Sequence, residues 1–444
     1  MKKALFCRLF PLLLLTTVPA AALAESSVDS TTILRVRQDA RAGFETQTLV
    51  PLTQYLGVDI DKLGDGNLSA HLYGWGRLDL DDSMDTVDNP DRFDGSLSYG
   101  YLQYRFNYAN ARARAGRFFV TEGIANELVD GITARTDLPY GFGVSAFGGA
   151  TVHTVDIPGM ATDGKGDGIF GGRVNYRHKG MLELGLSGLY ESKAPEPAAP
   201  GSAADSFGSH RLLGGDIWLK PHNMVQISGH TSYNTETQQI AEHSYLLQVT
   251  PSKELVLAAN FDEQNNRDYF YSSLLFANMI RNLGRDSRTA GASASYTLGK
   301  AEISGDFKHY SRETGKAQRF GGELRGTLLD NSVRTGFGYH YLRSSPDFAV
   351  AGSASGSFHE VRAYALCDTK GYFAALDAIG YFFKKPVENS DSAWELLGSL
   401  GYHLTPAFEL SGDLSYGQNP QYDDELKGLL RVTYNMNTGK GGTK

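Results

Sequence analysis

Residues 116–150, GRFFVTEGIANELVDGITARTDLPYGFGVSAFGGA, carry neither a helical stripe nor a continuous apolar run. Ile132, Ala134, Thr136 and Leu138 fall on one parity, while Arg135 and Asp137 fall on the other. Side chains of an extended chain point alternately to opposite sides, so period two with one polar face marks strands whose faces meet unlike surroundings. The stretch reads as a strand over 114–120, a loop over 121–128, a return strand over 129–138, and a tight turn at Pro139-Tyr140-Gly141 leading into 143–152.

The same pattern recurs along the chain. HLYGWGRLDL (71–80) sets Leu72, Leu78 and Leu80 against His71, Arg77 and Asp79. VQISGHTSY (225–233) sets Val225, Ile227 and Tyr233 against Gln226, Ser228 and His230. FELSGDLSYG (408–417) sets Phe408, Leu410, Leu414 and Tyr416 against Glu409, Ser411, Asp413 and Ser415. Turn residues recur at Asn110, Lys179-Gly180, Pro221-His222, Pro251-Ser252-Lys253, Gly299, Asp330-Asn331, Lys370-Gly371 and Thr405-Pro406, where tight reversals need Gly, Pro, Asn or Asp. Longer polar stretches alternate with them, around 81–94, 121–128, 155–166, 193–209, 235–239, 265–286, 313–317, 344–356, 384–392 and 418–425.

Segments of about ten alternating residues, joined alternately by short turns and long loops, are the mark of a transmembrane antiparallel β-barrel. Counting every reversal predicts about 20 strands between Leu68 and Asn435, an all-β barrel with short periplasmic turns and long extracellular loops. Its lipid face would carry Ile132, Ala134, Thr136 and Leu138, and its lumen Arg135 and Asp137.

The ends frame that barrel. Lys2, Lys3 and Arg8 precede the apolar run Leu9 to Val18 and the small residues Ala22-Leu23-Ala24, the layout of a signal peptide over residues 1–24. Residues 25–67 read as a periplasmic N-terminal segment, with Leu49, Leu52 and Leu56 near helical spacing, and 436–444 as a periplasmic tail. Loss of Lys2, Lys3 and Arg8 takes the formal charge from −8 to −11, which argues against nucleic acid as a partner. Of the two cysteines only Cys367 then remains, so there is no internal disulfide, haem attachment motif or cysteine cluster for a metal; no cofactor is expected.

The pieces HLYGWGRLDL and GRFFVTEGIANELVDGITARTDLPYGFGVSAFGG, with the alternation around them, resemble the Gram-negative outer-membrane porins, and within that class barrel proteins of metal-reducing bacteria, some of which sheath multihaem cytochromes. The resemblance implies an outer-membrane location, contact with lipid and lipopolysaccharide, and a water-filled channel for passive diffusion of small hydrophilic solutes. The alternative it implies is a sheath around a multihaem cytochrome, carrying electrons across the outer membrane. One departure stands out: such barrels usually end on an aromatic residue, whereas here LLRVTYNMN is followed by TGKGGTK.

A barrel this wide leaves an aqueous lumen. Alternation points Arg105, Arg112, Arg114, Arg135, Arg173 and Arg177 inward on neighbouring strands. A basic wall favours anions such as oxyanions by focusing potential in a narrow space, unless the arginines only pair with Asp137, Glu183 and Glu191. A second, mixed wall gathers Arg319, Glu323, Arg325, Arg334, Glu360 and Arg362 into a neutralising network. The loop 262–286 carries the apolar patch Tyr269 to Met279, which can fold inward as a constriction or cap the wall. LDDSMDTVDNPDRFD (80–94) is acidic and DGKGDGIFGG (163–172) opens like a calcium loop, but neither has the EF-hand ligand spacing, so no metal site is assigned. Histidines are scattered over distant strands and no serine has a G-x-S-x-G context, so no catalytic residue and no enzyme activity are expected.

Overall fold

The computed structural model describes residues 25–39, 47–64, 66–80, 93–152, 168–195, 207–265, 286–345, 356–387, 389–420 and 422–437. The expected signal peptide (residues 1–24), the apolar patch of the 262–286 loop, most of the acidic 80–94 loop, the start of the calcium-like stretch and the last seven residues lie outside them.

The described residues build one closed antiparallel sheet. Its first strands are β1 (Glu25–Asp39), β2 (Gln47–Leu49), β3 (Pro51–Leu63), β4 (Leu68–Asp79), β5 (Phe93–Arg105), β6 (Arg112–Glu122) and β7 (Ala125–Asp137). β8 (Phe142–Thr151), β9 (Ile169–His178), β10 (Leu182–Pro195), β11 (Phe207–His222), β12 (Val225–Asn234), β13 (Gln239–Val249), β14 (Leu255–Gln264) and β15 (Ser287–Leu298) follow. The wall is completed by β16 (Ala301–Arg312), β17 (Gly315–Leu328), β18 (Val333–Ser344), β19 (Phe358–Asp368), β20 (Tyr372–Val387), β21 (Ser390–Thr405), β22 (Phe408–Asn419) and β23 (Tyr422–Asn437). Each strand from β3 onward pairs with the next, and β1 closes the ring by pairing with β23 and with β3. β2 and β3 both pair with β1 and are one strand interrupted at Val50, so the barrel has 22 strands.

This corrects the count of about 20 and the placement of residues 25–67 ahead of the barrel: Glu25 to Leu63 supplies the two further strands. The reason is local. On the outward parity of these strands Ser30 and Thr32 face Gln54 across the ladder, with Gln54 Nε2 donating to Ser30 Oγ at 2.9 Å and Thr32 Oγ1 donating to Gln54 Oε1 at 2.5 Å. Polar side chains that satisfy one another stand where an apolar stripe would announce a strand. Leu52, Leu56, Val58 and Ile60 do keep period two.

At the end holding the strand starts of β1 and β4 the reversals are tight, and several need left-handed backbone: Asn110, Tyr140, Lys179 and Asp330 have φ of 47°, 63°, 46° and 52°. At the other end, the described parts of the stretches read as loops at 121–128, 313–317, 384–392 and 418–425 are mostly continuing strand with short turns, and 235–238 is a single four-residue turn. A hairpin pairs its backbone internally, which a loop near lipid cannot do.

Register fixes two faces all the way round. Leu72, Leu102, Ile132, Leu186, Leu400 and Leu414 are exposed on the outer face. His71, Arg114, Glu183, His230, Asp262, Asp306, Arg319 and Asp377 share the inner one. A cation at the outer midpoint should therefore be costly. Leu414→Arg, midway along β22, is expected to destabilise the barrel by about 2–4 kcal/mol. Equilibrium unfolding in phospholipid vesicles measures it, and a variant as stable as the parent would refute the outward placement.

Candidate functional site

What enters the lumen, among the described residues, is the wall's own side chains and one hairpin. β7 stays paired with β8 as far as Val129 opposite Thr151, whereas β6 keeps its β5 neighbour only up to Arg117, with Gly100 opposite Arg117 the last β5–β6 pair. Beyond it the hairpin turns inward and runs back along the lumen face. Its tip then touches strands remote in sequence. Ile124 N donates to Ser187 Oγ on β10 at 3.2 Å, and Ser145 Oγ on β8 donates to Glu122 at 3.2 Å.

Glycines make the bend possible. A Cβ on Gly131 would lie 2.1 Å from the Gly148 carbonyl oxygen, and Gly116 has φ +126°. The tip needs them too: Gly123 has φ +63°, and a Cβ on Gly214 would meet Ile124 at 2.4 Å. Where the hairpin lies on the wall, Phe118, Val120, Ala125 and Val129 pack against Phe147, Ile169, Leu189 and Leu212, and Phe118 and Val129 are fully buried. Full burial of each such side chain contributes about 1.5–3 kcal/mol. Apolar packing, with the two hydrogen bonds of the tip, thus holds the hairpin against the inner face of the barrel.

The arginines fall into two groups around this hairpin. Arg112, Arg135, Arg173 and Arg177 line one cavity of about 590 Å3 together with the tip residues Thr121, Glu122 and Gly123. Within it Arg173 is neutralised by Asp216 at 2.5 Å and Glu183 at 2.9 Å. Arg177 holds Glu183 at 3.0 Å and Asp137 at 3.8 Å, and Arg135 lies 3.8 Å from Glu122. Glu191 instead faces His210, at 3.6 Å.

The other group is unbalanced. Arg105 opposes Arg112, which also opposes Arg135, and among the described residues no carboxylate comes within ion-pair distance of Arg105, Arg112 or Arg114. Arg114 Nε donates to Gln103 Oε1 at 2.8 Å, and its guanidinium lies over the Tyr101 ring at 5.1 Å. Sequence reasoning anticipated this inward parity but not Glu122 and Asp216, because both reach the arginines only through the folded hairpin or a strand distant in sequence.

The mixed wall on the opposite side is a network of pairs. Arg319 holds Asp306 at 3.0 Å and Glu360 at 3.7 Å, Arg325 holds Glu323 at 2.7 Å, and Arg362 holds Asp377 at 2.5 Å. Arg334 meets Asp368 at 3.9 Å, and His340 joins the set through Asp306 at 2.8 Å. The histidine and the aspartates come from alternation on β16, β18, β19 and β20 that the sequence pattern already contained.

No family model matches the chain, and no curated protein matches it. Solved structures do. The ferric enterobactin receptor PfeA of Pseudomonas aeruginosa, in complex with BCV-L6, superposes with a TM-score of 0.56 at 12% identity, covering 93% of this chain and 82% of that one. The siderophore receptor PirA of the same organism gives 0.55 at 11% identity over 93% and 80%. PirA of Acinetobacter baumannii gives 0.53 at 10% identity over 92% and 80%. At these identities the likeness is one of fold: the chain is a large closed β-barrel resembling outer-membrane proteins of Gram-negative bacteria. Nothing in these comparisons points to metal-reducing bacteria or to a cytochrome partner.

The packing of the hairpin is directly testable. Phe118→Ala removes its central buried ring and is expected to cost about 3–5 kcal/mol of local stability. Amide hydrogen exchange should quicken over residues 118–129 while the remaining wall stays protected; unchanged protection there would refute the packed, inward hairpin.

Proposed function

We propose that the chain forms a water-filled outer-membrane channel with a bias toward anions, its bore narrowed by the β6–β7 hairpin. The observation that carries this reading is the cluster Arg105, Arg112 and Arg114, gathered on adjoining inner-face positions without carboxylate partners among the described residues. Elsewhere on the inner face arginines are matched by acids, as Arg319, Arg325 and Arg362 are. Uncompensated charge in a narrow aqueous space, backed by a low-dielectric wall, raises the local concentration of counter-ions. Small hydrophilic solutes and oxyanions are the cargo this favours, with outer-membrane lipid and lipopolysaccharide around the outer face.

The width agrees with a need for such a constriction. Barrels of 16–18 strands already leave an aqueous channel, and 22-stranded outer-membrane transporters fill theirs. Here the hairpin supplies part of that filling from the wall itself, a role that the sequence analysis gave to the 262–286 loop.

Changing Arg105, Arg112 and Arg114 together to Gln should lower the anion-to-cation permeability ratio several-fold. Reversal potentials under a salt gradient, recorded from the full-length protein in planar bilayers, read this out. A ratio equal to the parent's would remove these residues from selectivity, and a parent protein that carries no current would sink the channel reading.

A further inference from the structure

Beside the unbalanced arginines the lumen wall carries a continuous run of rings. Tyr55 on β3 stacks on Tyr73 of β4 with centroids 6.5 Å apart and planes 23° apart, and Tyr73 stacks on Tyr99 of β5 at 5.5 Å and 17°. Tyr99 meets Tyr101 at 6.0 Å, and Tyr101 meets His71 at 4.8 Å. The run ends where the Arg114 guanidinium covers the Tyr101 face. All these side chains lie on the inner parity, since Tyr73 opposes Gly57 and Tyr99, and His71 opposes Asp59 and Tyr101.

Two details favour a surface built for contact over simple wall packing. Gly57 has no side chain where Tyr73 crosses it, and a Cβ there would stand 3.1 Å from Tyr73 Cδ2, so the ring lies close against the wall. The flanks also differ in charge. On the β3 side Asp59 is bonded to His71 at 2.6 Å, while on the β6 side the arginine cluster has no carboxylate partner among the described residues.

We propose that this inner face is a binding track for aromatic carboxylates. The ring of the solute rests on the tyrosine faces, where offset stacking is favourable, and its carboxylate points to Arg114 and the arginines below it. A guanidinium offers the carboxylate planar paired donors, and the acid on the other flank opposes the reverse orientation. Tyr101 also packs against the hairpin's apolar cluster, which puts the track at the mouth of the constriction. The proposal rests on the channel reading for its meaning in transport, but the binding itself does not require conduction.

The test uses the full-length protein in planar bilayers and, separately, in detergent micelles. Benzoate, acetate and glucuronate are compared as blockers of the chloride current and, by calorimetric titration, as ligands. Benzoate should block and bind at concentrations at least several-fold below those of acetate and glucuronate. Tyr73→Leu with Tyr99→Leu should abolish that preference, whereas Tyr73→Phe with Tyr99→Phe, which keeps the rings, should retain it. Equal potency of the three anions, stronger glucuronate binding, or an unaltered benzoate preference in the leucine variant would overturn the proposal. Benzoate binding in micelles by a protein that passes no current would sustain the track and overturn only the channel.

Discussion

The structure depends on the closure of the sheet, in which β1 zips along β23 from Ser27 opposite Asn437 to Arg37 opposite Lys427. In a bilayer every backbone donor and acceptor must find a partner within the protein, so an open sheet of this size would leave two unsatisfied edges in lipid. Closure removes both edges and defines an inside. Only then does the alternation of side chains acquire its meaning, with leucines turned to the outer face and charges to the inner one. The comparison structures share this architecture at identities near 10%, because closure constrains hydrogen bonding and parity, not side-chain identity.

One stretch of wall departs from the rule, and the functional features gather there. Above Gly100 and Arg117 the β5–β6 ladder stops, leaving the upper part of β5 without that neighbour. Arg117 covers the gap: its guanidinium grips Asp130 at 2.7 Å and donates to the Leu97 carbonyl at 2.9 Å. The inward hairpin, the unpaired arginines at its base and the tyrosine run on β3 to β5 all border this seam.

Much of the barrel was legible from alternation and turn chemistry. Segments such as 71–80 and 408–417 hold strict parity, and Tyr140-Gly141 and Asp330-Asn331 mark reversals that need left-handed backbone. The inward parity of Arg105 to Arg177 was legible for the same reason. The first two strands are hard to see in the sequence because Ser30, Thr32 and Gln54 satisfy one another on the outward parity and interrupt its apolar stripe. The hairpin is hidden because its bend is a three-dimensional fact. A trace of it is nevertheless present in the opening stretch: Phe118 and Val120 sit on the parity of Arg112 and Arg114, and Val129 on that of Arg135, between or beside Gly116 and Gly131. Apolar residues on the water-facing parity, bracketed by glycines, indicate a segment that has left the wall to cover it.

The hairpin couples two quantities that a barrel would otherwise set independently. The backbone of residues 118–122 pairs with β7 alone, and the edge of β5 from Phe93 to Tyr99 lacks them as neighbours. Straightening the hairpin into the wall would extend the β5–β6 ladder and empty that part of the barrel interior in the same movement, at the expense of the buried contacts of Phe118 and Val129. Pairing along the side wall and filling of the barrel interior are therefore balanced against one another through a single glycine-hinged element.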